Sequence, residues 1–234
     1  MMRISRLPFN ANMVQLMLDD TKSQTRRPLK LKKGWTLKSL DITDSPHPHA
    51  KRQRRGCLAQ QVTKQFPMIQ EQLITAPCLP GDLVYVGEPY ATLHRGTFEP
   101  IPYHDSDVRE VRYKADERPD VANACASVRG FPWNQANYMP RELSRLTLKI
   151  KHVWVEYLTD ISPSDAIAEG VSKHSLDPVA DFRQMWGEIY GEDNWRANPP
   201  VWRIEFEVIH QNINRYVETI CAQKKIDYNQ LTYV

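Results

Sequence analysis

A chain of 234 residues, 41% hydrophobic and 25% charged, can bury a substantial core and has the composition of an ordinary globular protein. Its 31 lysines and arginines against 28 acidic residues leave a formal charge of +3, which excludes a strong global field for nucleic acid and confines any such binding to local patches. No apolar run approaches the roughly 20 residues that span a bilayer, and the opening MMRISRLPFNAN has no secretory signal pattern, so a cytoplasmic protein is expected.

Along the chain, Met13, Val14, Met17 and Leu18 fall at helical spacing and predict a short helix that delivers TKSQTRR at its C-terminal end. That stretch sets a lysine, two hydroxyls and two arginines within seven positions. It fits a charged helix end, whose basic residues complement the dipole, and it equally fits an active site. Pro28 ends the regular structure. Residues from about 30 to 75 turn basic and polar, with Pro46 and Pro48 in the middle, and read as an exposed insertion.

Strand signals follow over 81–91, 108–116, 144–158 and 200–210. In the last of these Val201, Arg203, Glu205 and Glu207 alternate with Trp202, Ile204, Phe206 and Val208, one face buried and the other wet or functional. Between the last two strands, Ser162-Pro163-Ser164-Asp165 opens a helix with a capping box and Gly170 stops it. A second helix starts at Asp177-Pro178 and carries Val179, Phe182, Met185, Trp186 and Ile189 on one stripe before Gly191. Ile213, Tyr216, Val217, Ile220 and Cys221 predict a terminal helix packed on the sheet. Trp154, Trp186 and Trp202 read as core, while Tyr90 and Trp133 fall on predicted loops and suit stacking on a base. The expected class is α+β, a small and mostly antiparallel barrel. One domain over 1–210 and a helical tail over 211–234 are expected.

Cysteines 57, 78, 125 and 221 form no C-x-x-C pair and read as free thiols. His47, His49, Cys57 and Cys78 match no ligand spacing, so no metal site is expected.

The phrases FNANMVQLMLDDTKSQTRR, PGDLVYVGEPYA, MPRELSRLTLKIKHVWVEYLTDISPSDAIAEGV, FRQMWGEIYG and NWRANPPVWRIEFEVI, taken in order, resemble the ASCH domain family, in its longer phage and prophage version. The resemblance leaves out the insertion and the tail after His210. It implies a PUA-like β-barrel with short flanking helices, and either an RNA-binding module or an amidohydrolase that removes the acetyl group of N4-acetylcytidine. It also implies the catalytic set Lys22, Thr25 and Glu169, although Ser23 stands where the family's K-T-x-T-x-R motif has its first threonine. No cofactor is implied, and the setting is a bacterial host or phage-infected cell.

The chemistry of these residues agrees with that set. Burial or a cationic neighbour deprotonates a lysine, and Arg26 and Arg27 lie close enough in sequence to depress Lys22. Thr25 then attacks the acyl carbon or positions water. Glu169, in the last turn of its helix, would protonate the leaving amine. As substrate contacts we expect Ser23, Arg26, Arg27, Glu88, Tyr90, Arg141 and Arg145. For Glu88 a solvated strand end, and for the two C-terminal arginines a strand-entry pair, explain the residues as well. The partner expected is a nucleoside or modified base. Lys30, Lys32, Lys33, Lys38, Lys51, Arg52, Arg54 and Arg55, with Trp35, would hold RNA or single-stranded nucleic acid; a solvated basic loop is the alternative. A binding module and a phage assembly factor remain competing functions.

Overall fold

The computed structural model describes residues 2–44, 55–62, 69–94, 97, 99–104, 108–117, 133–224 and 232–233. It is mixed α+β, rich in short strands with few helices, and no barrel closure appears among the described strand pairings. Two compact units emerge, each assembled from separated segments: 1–21, 82–149 and 207–234 form the first, and 22–81 and 150–206 the second. The insertion lies within the second unit and the C-terminal helix within the first.

In the first unit, β1 (Arg3–Pro8) pairs in parallel with β7 (Leu83–Gly87) and with the short β12 (Thr232–Tyr233). The beginning of β10 (Thr147–Tyr157) lies antiparallel to β7. Neither β1 nor β12 is foreseen in the sequence, where charged residues interrupt Ile4 and Leu7. Helix α1 (Ala11–Leu18) starts because the Asn10 side chain accepts from the Met13 amide at 2.8 Å. It buries Met13, Val14 and Met17, the apolar set its spacing predicts.

The expected strand over 81–91 is two strands, β7 and β8 (Tyr90–His94), separated at Glu88-Pro89. Pro89 cannot donate to a ladder, so the run breaks there. Tyr90 therefore sits on a strand, 6% exposed, and not on the predicted loop. β8 pairs with β9 (Val108–Tyr113). The terminal helix forms as expected, as the C-terminal helix α5 (Ile213–Lys224), and Ile213 and Val217 pack with Ile4 and Leu83.

In the second unit, β2 (Gln24–Pro28) runs antiparallel to β11 (Pro200–Ile209), which neighbours β10. The predicted helix end of TKSQTRR is thus a strand: the helix stops before it, at the Asp19 cap, and Asp20 takes a left-handed φ of 54°. The insertion holds strands β3 (Thr36–Leu37), β4 (Thr43–Asp44), β5 (Arg55–Val62) and β6 (Ile69–Thr75) in one antiparallel sheet. Cys57 and Ala59 alternate into its interior, but such small residues give a faint hydrophobic period. Gly56 is required there, because a Cβ would lie 2.0 Å from the Ile74 carbonyl oxygen.

Helix α2 (Pro163–Ala168) has the predicted capping box between Ser162 and Asp165, and Gly170 beyond it takes φ 107°. Helix α3 (Pro178–Tyr190) starts at Asp177 and buries Phe182 and Trp186 against Leu158, Ile161, Ala166 and Val201. Ile189 is 46% exposed, off the stripe expected for it. A short α4 (Glu192–Arg196) follows. Trp186 and Trp202 are core as expected, but Trp154 is 39% exposed. Alternation along β10 slips by one residue between the buried Ile150 and Val153, which turns Trp154 outward.

Candidate functional site

Backbone hydrogen bonds set Lys22 beside the end of α2. The Ser23 amide donates to the Ala168 carbonyl at 2.9 Å, and the Ser23 carbonyl accepts from the Phe206 amide at 2.9 Å. The Lys22 side chain then turns inward, 1% exposed, and its Nζ donates to the Glu169 carbonyl at 2.7 Å and to Glu169 Oε2 at 2.8 Å. These two residues are 147 positions apart, and the resemblance alone pairs them in the sequence.

Strand pairing places Arg203 directly opposite Arg26, so two guanidiniums share one face. Like charges in that arrangement repel, and carboxylates resolve it by bridging. Glu156 Oε1 accepts from Arg26 Nε at 2.8 Å while its Oε2 lies 3.5 Å from Arg203. Asp165 Oδ1 accepts from Arg203 at 2.6 Å and its Oδ2 from Arg26 at 3.3 Å. Glu169 joins Arg26, at 3.2 Å, to Lys22. Three cations and three carboxylates thus close a network whose formal charge cancels.

Burial is the largest influence on Lys22 and pushes its pKa below the ordinary 10.5; Glu169 opposes this, while Arg27 and Arg26 add to it. Depression by the two arginines was anticipated, but desolvation dominates. For Asp165 burial works upward, yet the Ser162 hydrogen bond and the Arg203 and Arg26 charges outweigh it and hold the carboxyl below its ordinary 3.8. Glu169 is the C-cap of α2 and meets two cations there, rather than standing as a lone carboxylate at the negative end of a helix dipole.

Thr25 is buried, at 5% exposure, but pleating sends it to the face opposite Arg26, beside Ile204. Among the described residues no side-chain hydrogen bond joins it to Lys22. Ser23 is exposed. Arg27 shares the face of Thr25 and lines a cleft of about 810 Å³ with Lys30, Tyr190 and Asn194. Lys22, Thr25 and Glu169 are not among that cleft's lining residues.

The remaining candidates belong to the first unit, where Glu88 and Arg145 form a cluster of their own. Glu88 is fully buried, at 0% exposure, and takes a two-pronged contact from Arg145 at 2.7 and 2.9 Å. The same guanidinium reaches both Asp116 oxygens at 2.7 Å and lies 4.3 Å from the Tyr113 ring centre. Burial raises the Glu88 pKa and Asp116 adds to this, against the lowering influence of Arg145. The solvated strand end allowed for Glu88 is therefore corrected: it is core, and Arg145 is its partner. Arg141 acts through its carbonyl, which accepts from Asn212 at 2.9 Å and from the Ser144 hydroxyl at 2.8 Å. Tyr90 directs its hydroxyl to the Tyr138 carbonyl at 3.4 Å. Trp133 packs on Ala91 and Leu93.

Arg203, Glu156 and Asp165 were missed as functional candidates. Arg203 lay on the strand face marked wet or functional, so alternation carried a usable signal; Asp165 was seen only as a cap residue. In the insertion, Lys38 pairs with Glu71, Arg55 with Asp44, and Lys32 stands 6.0 Å from the Trp35 ring centre. Lys51, Arg52, Arg54, His47, His49 and Cys125 lie outside the described residues. Cys57 and Cys221 are free thiols, and burial pushes Cys57 up to about 11. Among the described residues no group of three His, Cys, Asp or Glu side chains could hold a metal ion, and no helix is long and apolar enough to cross a membrane. Compared with known proteins, the chain matches no family model, no curated protein and no solved structure.

Proposed function

We propose that the protein is an ASCH-type, PUA-like amidohydrolase that removes an N-acyl group from a cytosine-type base or nucleoside, with Lys22 and Glu169 as its proton-handling pair. The observation that carries this reading is the buried 2.8 Å contact between those two residues, which the resemblance implies and spacing alone does not. An amine held below its ordinary pKa by burial has a larger neutral fraction, the form that can act as a base. In this reading neutral Lys22 takes the proton of an attacking water and hands it across the 2.8 Å contact to the Glu169 carboxylate, which delivers it to the departing amine as the acyl C–N bond breaks. With Lys22 as the neutral amine this reading requires, the network carries one net negative charge, which suits an uncharged acylated base better than a polyphosphate. Thr25 faces away from Arg26, so water is favoured over a threonine nucleophile.

The second reading is a module that binds RNA or a modified base without turnover. It is favoured by the closure of the network: Lys22, Arg26 and Glu169 are 1–3% exposed and already paired. Incubation with N4-acetylcytidine, followed by chromatography, separates the two. The hydrolase yields cytidine and acetate, and Lys22→Met, shown folded by circular dichroism, loses about a hundredfold or more of that rate. Binding of the nucleoside by folded wild-type protein without product establishes the module instead.

A further inference from the structure

The cleft beside β2 is built from groups that the proposed hydrolase chemistry does not use. Its walls are Pro28, Leu29, Leu31, Pro199 and Pro200, and its polar side chains are those of Arg27, Lys30, Tyr190 and Asn194. All of these residues lie in the second unit. No carboxylate is among the lining residues. At about 810 Å³ the volume falls in the range that encloses a small organic ligand, and it far exceeds what a bare inorganic anion fills.

The orientation of Asn194 decides the chemistry. Its Oδ1 accepts from the Trp186 indole nitrogen at 2.9 Å, and that indole is buried in the core of α3. The acceptor end of the amide is therefore committed, and Nδ2 is the end left to present donors. Trp186 also holds Tyr190, its ring centre 4.3 Å away and the planes tilted by 37°. One buried tryptophan thus fixes both the amide and the aromatic wall. Arginine, lysine and an amide nitrogen offer donors and positive charge, a set that fits phosphate oxygens. The tyrosine ring and three prolines offer flat apolar surface to a planar body.

We propose that this cleft binds a small molecule carrying a phosphate on an aromatic body, of the nucleoside monophosphate class, with Arg27, Lys30 and Asn194 Nδ2 on the phosphate and Tyr190 against the ring. The inference stands independently of the amidohydrolase reading, because it draws on none of Lys22, Thr25 and Glu169.

The test is calorimetric titration of the intact protein with cytidine 5′-monophosphate, cytidine and inorganic phosphate. The monophosphate is expected to saturate one site, to bind at least about tenfold tighter than cytidine, and to weaken as salt rises. The decisive variant is Asn194→Asp, which keeps the acceptor for Trp186 and replaces the donor with a negative charge. It should fold with an unchanged melting temperature and lose at least tenfold of the affinity for the monophosphate, as should Lys30→Glu. Three outcomes overturn the proposal: no saturable binding of the monophosphate by wild type, equal affinity for cytidine, or undiminished affinity in folded Asn194→Asp.

Discussion

In the network of the second unit three cations meet three carboxylates, whereas in the Glu88 cluster of the first a single arginine serves two carboxylates, only one of them buried. The same residue types give opposite electrostatics. Asp165 is flanked by two guanidiniums and a hydroxyl and is held below its ordinary range; Glu88 has one guanidinium shared with Asp116 and is held above its own. Burial pushes both carboxyls upward and prevails at Glu88, whereas at Asp165 the Ser162 hydrogen bond and two guanidiniums outweigh it.

The comparison can be broken most severely at Arg26. Its guanidinium contacts Glu156, Asp165 and Glu169, so Arg26→Met takes a cation from three carboxylates at once, and urea unfolding should show a loss of about 3–5 kcal/mol. Loss below about 1 kcal/mol would mean that water replaces the arginine and that the network is not a closed structure. Arg145→Met abandons one buried carboxylate, Glu88, which can take up a proton; its cost should be smaller, about 1–3 kcal/mol.

A pH series sharpens the contrast by sign. Asp165, with its folded pKa depressed, contributes stability that is present above its ordinary 3.8 and is lost as pH falls through the lower folded value. Asp165→Asn should flatten that acid limb of the unfolding midpoint. Glu88, with its folded pKa raised above 4.5, takes up its proton in the fold before it does in the unfolded chain. Its contribution therefore grows as pH falls from the raised value toward 4.5, and Glu88→Gln should remove that gain. The same slope for both variants would contradict the assignment. The smallest effect belongs to Trp154, 39% exposed with Arg203 4.8 Å from its ring centre. Trp154→Ala should cost about 0.5–1 kcal/mol, which unfolding by urea can resolve.

What was legible in the sequence follows the strength of the local signal. Capping at Ser162 and Asp177, the stripe of α3 and the alternation of β11 are short-range patterns written in strongly apolar or strongly capping residues, and they folded as read except at Ile189, which is exposed, and Val201, which is buried. The strands of the insertion were hidden because Cys57 and Ala59 carry the buried face of β5 with little hydrophobic contrast. The turn of Trp154 to solvent needed a one-residue slip in β10 that no composition reveals. Lys22 and Glu169 could be joined only through a resemblance, since pairing across 147 positions is decided by the β2–β11 register and the Ser23 backbone bonds. The division of the candidates, Glu88 and Arg145 in one unit and Lys22 and Arg26 in the other, has no sequence signature at all.

The account turns on Lys22 being an amine held ready to accept a proton, and its ionisation can be read directly. Carbon-13 NMR of lysine-labelled protein, assigned by comparison with Lys22→Met, gives the titration midpoint of this one side chain. A midpoint below the ordinary 10.5 is predicted, because desolvation outweighs Glu169. A midpoint at or above 10.5 would show that the pair with Glu169 dominates, leaving Lys22 a structural cation and contradicting the proposed chemistry.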